Sequence, residues 1–303
     1  MAQASHSVPW ANGARTPPDA ELFPQYLQNK QGLWLYWHHW PVKRPRGVIF
    51  LVSGLGEHTV RYQMLSARFN KAGFVTFSLD HQGHGASEGD RAHVERFQDY
   101  VDDYLQFVKA MLSANPSLNG LPRFLLGHSM GGLIAVHARN QSAESGLQWA
   151  GTILSAPALK ADPKVATPLK IFLAGVLSNL LPKLALDPLN SATVSRSRQV
   201  VELYCTDPLV YHGGIRARWG NEVLRAMQAV ARDYQKVTWP FLLLHGGDDC
   251  ITHISGSLDF FEHVPSTDKV LKTYQGMFHE VFNEPNRDIV IHDVLDFIEA
   301  RVK

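Results

Sequence analysis

Residues 127–132 read Gly-His-Ser-Met-Gly-Gly, directly after the apolar run Arg123-Phe124-Leu125-Leu126. An apolar strand that enters Gly-x-Ser-x-Gly and continues into a helix-forming stretch (Leu133 to Ala138) reads as a nucleophile elbow. The turn forces the serine backbone into a strained conformation, and side chains in place of Gly127 or Gly131 would crowd the approach of strand and helix. The Ser129 hydroxyl would then stand above the end of a sheet, beside a helix N-terminus whose amides can receive an oxyanion.

The rest of the chain fits a layered α/β architecture. Strand-like runs at Leu33–Trp40, Gly47–Val52, Phe74–Leu79, Arg123–Leu126 and Ala150–Leu154 alternate with helical patterns near Tyr62–Lys71, Glu95–Ala114 and Met130–Asn140. The pattern resumes with strand Phe241–Leu244, helix Ile254–His263, strand Lys269–Tyr274 and a closing helix near Asn286–Val302. Continuous apolar runs predict strands covered on both faces, hence a mostly parallel central sheet flanked by helices.

The rhythm changes between Leu159 and Thr238. Prolines 163, 168, 182, 188 and 208 divide this region, and Leu169, Ile171, Phe172, Leu173, Val176, Leu177, Leu180 and Leu181 make a segment apolar on most of its surface. A core of residues 1–158 and 239–303 with an inserted helical cap at 159–238 is expected, part of the cap facing a lipid-like ligand or a membrane surface. Lys170, Asn179, Pro182 and Lys183 interrupt Leu169–Leu186 too often for a bilayer span.

A serine nucleophile needs a base, and the base an orienting carboxylate, in the chain order Ser, acid, His. Four histidines follow the acid candidates. His253 lies too near Asp248 and Asp249 in sequence, His263 ends a helix, and His292 falls inside the last helix. His279, on the loop after the strand ending at Tyr274, is the candidate base. For the acid, strand Phe241–Leu244 empties into His245-Gly246-Gly247-Asp248-Asp249, and spacing alone leaves both aspartates open. Strand Val48–Val52 empties into Ser53-Gly54-Leu55-Gly56-Glu57-His58, where small residues allow close backbone approach. The Leu55 amide, with that of Met130, is the candidate oxyanion hole.

A formal charge of +1 in 303 residues gives no basic face for nucleic acid. Cys205 and Cys250 make no disulfide framework, and the polar, proline-rich first eighteen residues lack a signal peptide's apolar stretch. A cytoplasmic protein, with peripheral membrane contact through the cap, is the expectation. Asp80-His81-Gln82-Gly83-His84-Gly85 lacks a further ligand for a metal and reads as a glycine loop.

From about Leu33 to the C-terminus the chain resembles the α/β-hydrolase superfamily and, within it, the monoacylglycerol lipases. The resemblance rests on Gly54-Leu55-Gly56-Glu57-His58 with Arg61-Tyr62, on Asp80 to Gly89, on Phe124 to Gly132, on Asp207-Pro208-Leu209 and on Phe241 to Leu244. It implies the α/β-hydrolase fold, a mobile cap whose apolar outer face touches membranes, and Asp249, three residues after Gly246, as the acid. It also implies polar contacts to the glycerol end from Glu57, Arg61 and Tyr204. The family usually carries His-Gly-x-Gly at the oxyanion loop, where Ser53 stands here; the donor itself is backbone. The implied reaction is hydrolysis of a monoacylglycerol to fatty acid and glycerol, with neither cofactor nor metal. The same site would serve a lysophospholipid or another carboxylic ester. A non-catalytic binding protein of this fold is the competing class.

Overall fold

The computed structural model describes residues 25–161 and 175–302. The N-terminal stretch, and Leu169 to Leu173 of the apolar segment, lie outside the described residues.

In chain order the core begins with β1 (Tyr26–Gln28), β2 (Trp34–Trp40), β3 (Gly47–Val52), α1 (Gln63–Lys71) and β4 (Phe74–Leu79). It continues with α2 (Phe97–Ala114), β5 (Arg123–His128), α3 (Met130–Asn140) and β6 (Gly151–Ser155). After the intervening segment, which contributes β7 (Ala185–Pro188) and β8 (Gly214–Arg216), come β9 (Phe241–Gly246), helix Ile254–His263, β10 (Lys269–Tyr274) and helix Arg287–Glu299. The eight-stranded sheet has the order β1-β2-β4-β3-β5-β6-β9-β10. Pairings from β4 to β10 are parallel; β1 and β2 join antiparallel at one edge.

The apolar strands are buried because each feeds two cores. Val48, Phe50 and Val52 pack with α2, α3 and Phe260, whereas Ile49 and Leu51 pack with α1 and the last helix. The same period-two division holds along β5, where Leu125 faces one layer and Phe124 and Leu126 the other. The expectation of strands covered on both faces fails at β10. Val270 and Lys272 are exposed on this edge strand, and a lysine on an edge discourages further pairing.

The segment between β6 and β9 is more varied than a plain helical insertion. Its described part is helical over 175–180, then forms the antiparallel ribbon of β7 and β8 and the helices Arg198–Thr206 and Ala217–Arg232. The last helix buries Trp219, Val223, Ala226 and Val230 in the same core as α2 and α3. It therefore serves the sheet layer, and the ribbon and the shorter helix lie nearer the site. Val176, Leu180, Leu181, Leu184 and Leu186 are exposed, with Leu180 at 72%.

Candidate active site

β5 runs to His128, two residues further than its apolar run, and delivers Ser129 at the head of α3. Ser129 has φ 55° and ψ −120°, a region L-residues rarely occupy. The surroundings over-determine this strain. A Cβ on Gly127 would run into the Gly131 carbonyl, and one on Gly131 into the carbonyls of Val52 and Ser53. The Ser129 amide donates to Ser155 O at 3.0 Å, and its carbonyl accepts from Ala158 N at 3.0 Å.

β9 likewise extends past its apolar run, to Gly246, and its loop separates the two aspartates. Asp248 is exposed and Asp249 is buried. Asp249 Oδ2 lies 2.8 Å from His279 Nδ1, 2.9 Å from Thr252 Oγ1 and 3.2 Å from His245 Nε2. Its Oδ1 accepts the amides of Ile251 and Thr252. Burial alone would raise this carboxyl group, but His279 and His245 outweigh it and hold it well below the usual carboxylate range. Burial alone would lower His279. The Asp249 charge and hydrogen bond outweigh that and raise it above the ordinary imidazole value.

A cavity with about 30 Å³ of free space is walled by Ser129, His279, Leu55, Gly54, Glu57 and His128. Glu280 and Ile251 also face it, and Leu189, Val194 and Tyr204 close it from the intervening segment. The structure thus brings Ser129, His279, Leu55, Glu57 and Tyr204 to one space, with Asp249 behind His279. The amides of Leu55 and Met130 make no hydrogen bond within the described residues. The Gly54 amide is taken by Glu57 Oε2 at 2.7 Å.

Arg61 is placed differently from the expected glycerol contact. It does not wall the cavity. Its Nη2 bonds both oxygens of Glu280 at 2.7 and 2.8 Å, and its guanidinium lies over the Tyr204 ring at 4.6 Å. Its other face meets a separate cavity with Val200, Leu203 and Asp207. Burial of two carboxylates near one arginine explains this, because the guanidinium is consumed by its partners.

Sequence reasoning passed over Glu280, His128, Thr252 and His245. Glu280 adjoins the candidate base, and an acidic residue there was a usable signal. His128 occupies the variable position of the elbow; its Nδ1 lies 3.2 Å from Ser155 Oγ and its ring 4.6 Å from that of His279. Burial, then the neighbouring His279, lowers His128 to about 4, so it is neutral at pH 7. Thr252 and His245 act through contacts across a loop and carry no local signal.

The loop after β4 supports the Ser53–Thr59 loop. Asp80 Oδ1 accepts Thr59 N at 2.6 Å, and His81 Nε2 donates to Ser53 O at 3.2 Å. Clasps join the loop to the intervening segment. His58 Nε2 pairs with Asp207 Oδ2 at 2.7 Å, and Tyr211 N donates to Gly56 O at 2.9 Å.

Residues 43–286 match the family model described as serine aminopeptidase, S33. Human monoglyceride lipase is 39% identical over 279 residues, covering 91% of this chain and 90% of the relative. The monoacylglycerol lipase of Mycolicibacterium smegmatis is 36% identical over 86% of this chain and 91% of its own. The crystal structure of Paleococcus ferrophilus monoacylglycerol lipase superposes with a TM-score of 0.76 at 30% identity, covering 88% of this chain and 99% of the other. With the sheet order, the strained serine and the buried Asp–His pair already in place, these likenesses mean that the chain belongs to the α/β-hydrolase superfamily and, within it, to the family of the monoacylglycerol lipases.

Proposed function

We propose that this protein is a serine hydrolase that cleaves monoacylglycerols to fatty acid and glycerol, with Ser129 as nucleophile, His279 as base and Asp249 as the orienting acid. One observation carries the reading. The strained Ser129 shares a cavity with His279, whose Nδ1 is engaged by the buried, fully hydrogen-bonded Asp249. With Nδ1 so engaged, Nε2 is left to take the Ser129 proton as Oγ attacks the ester carbonyl. The carbonyl oxygen becomes an oxyanion between the amides of Leu55 and Met130. Collapse breaks the bond to the glycerol oxygen, which leaves with the proton from His279. Water then gives a proton to His279 and attacks the acyl carbon; as the second intermediate collapses, the Ser129 Oγ–acyl bond breaks, His279 returns the proton to Oγ and the fatty acid is released.

The polar wall supports a neutral head group. Glu57 and Glu280 face the cavity, and Arg61, off its lining, is held by Glu280. A phosphate group would meet two carboxylates there, so lysophospholipids are the weaker reading. About 30 Å³ admits a water molecule, not an ester, so Leu189, Val194 and Tyr204 must shift for substrate to enter. This supports residues 159–238, up to the helix at Ala217, acting as a cap. The exposed Leu180, Leu181 and Leu184 support contact of that cap with a lipid surface. No helix among the described residues is long and apolar enough to cross a membrane.

The test is a set of esters sharing one acyl chain on glycerol, glycerophosphocholine and methanol. Faster turnover of the glycerol ester is expected. Preference for the glycerophosphocholine ester would overturn the substrate reading while leaving the triad intact.

A further inference from the structure

We propose that Glu57 is a positioning residue that aims the Leu55 amide, rather than a group that binds the substrate's head. The proposal rests on the reading of Leu55 as an oxyanion donor. Ser53 O and Gly54 N–H belong to one peptide unit, and that unit is held at both ends. His81 Nε2 donates to its oxygen at 3.2 Å, and its N–H donates to Glu57 Oε2 at 2.7 Å. The next peptide unit carries the Leu55 N–H. Beyond it, Gly56 O accepts Tyr211 N at 2.9 Å. The donor is therefore suspended between two fixed peptide planes. The loop has glycines on both sides of Leu55, so without these restraints the amide direction would be free.

The Glu57 side chain is already engaged. Oε2 accepts both Gly54 N and the Tyr62 hydroxyl, each at 2.7 Å. Oε1 faces Arg61 Nε at 3.5 Å, an ion-pair contact without hydrogen-bond geometry. Arg61 is in turn fixed by Glu280. A Cβ on Gly54 would lie 2.9 Å from Glu57 Oε2 and 3.1 Å from Ser129 Cβ, so the carboxylate covers the loop where it passes the nucleophile. Burial pushes Glu57 up, but Arg61 and its hydrogen bonds from Tyr62 and Gly54 keep it ionised. An ionised acceptor makes the stronger bond to a backbone amide.

Steady-state kinetics of the full chain test this on a monoacylglycerol and on the p-nitrophenyl ester of the same fatty acid, which has no glycerol. Removing an oxyanion donor costs about 10²–10³ in kcat, so a misdirected one should cost about 10–100-fold. Glu57→Leu is expected to lose that factor equally on both esters, with KM nearly unchanged. Glu57→Gln, whose amide oxygen can still accept Gly54 N, should recover most of it on both. A loss confined to the monoacylglycerol and seen in KM would make Glu57 a head-group contact and overturn the proposal, as would no loss at all. If Glu57→Leu does not fold, Tyr62→Phe removes one donor from the same oxygen without touching the cavity wall. It should lower kcat severalfold on both esters, and an unchanged kcat would overturn the proposal. Wild-type protein is probed alongside with a fluorophosphonate. Without modification at Ser129 the active-site reading itself falls; with it, a failed Glu57 pattern removes this proposal alone.

Discussion

Ser129, with its strained backbone, lines one cavity with His279 and Leu55, and alanine there is expected to remove chemistry while leaving the geometry. Ser129→Ala should fold normally and lose about 10⁴-fold or more in hydrolysis, the oxyanion donors alone supplying the remainder. The neighbouring aspartates should differ sharply. Asp249→Asn should cost about 10³–10⁴ in turnover, because the amide cannot hold His279 in the required tautomer. Asp248→Asn should cost little, since that side chain is exposed. Purified, folded variants assayed on one ester decide the ranking, and the reverse order would move the acid to Asp248. The pH profile follows from His279, which must be neutral to accept the proton. Because its value is raised, activity should fall on acidification with an apparent midpoint above 6.5. A kcat/KM profile centred below 6.5 would contradict the Asp249 pairing. Much of this was legible in the sequence. Ser129 and His279 follow from elbow and loop positions, but the choice of Asp249 over Asp248 needed the family spacing. The engagement of Arg61 by Glu280 was not legible, because residues 219 positions apart meet only through the fold.

At the scale of elements, β3, β4 and β10 begin and end where the sequence pattern predicts, although β10 is an edge strand with Val270 and Lys272 exposed. β5 and β9 run longer than predicted, into His128 and His245–Gly246, since polar residues of the site end the apolar signal before the backbone pairing ends. The short β1, and the β7–β8 ribbon inside the cap region, have too few residues for a period to register. Helix Ala217–Arg232 was folded into the cap by position, although its Trp219, Val223, Ala226 and Val230 stripe belongs to the main core. The exposed leucines at the end of the 175–180 helix and the turn after it give this scale its prediction. Leu180→Ser with Leu181→Ser should weaken adsorption to phospholipid vesicles, with turnover of a short water-soluble ester unchanged. Vesicle sedimentation and the ester assay check both halves. Unaltered sedimentation would remove these leucines from any lipid contact.

At the scale of the whole molecule, the segment between β6 and β9 is tied to the rest of the chain on two sides. One side is held by His58 with Asp207 and by Tyr211 N with Gly56 O. The other is held by Arg196 with Glu284 and by Glu280 N with Val194 O. The first pair of ties attaches just after Leu55, at Gly56 and His58, so the intervening segment and the Ser53–His58 loop share supports. This arrangement places Ser129 and His279 in a cavity bordered on one side by Leu189, Val194 and Tyr204 of the intervening segment. The central claim, that Ser129 is the nucleophile of monoacylglycerol hydrolysis, is tested most directly by peptide mapping after reaction with a fluorophosphonate, with residual activity followed in parallel. The account predicts one phosphonyl group per chain, on Ser129, and loss of monoacylglycerol hydrolysis in proportion to labelling. Labelling elsewhere, or full hydrolysis surviving complete labelling of Ser129, would contradict it.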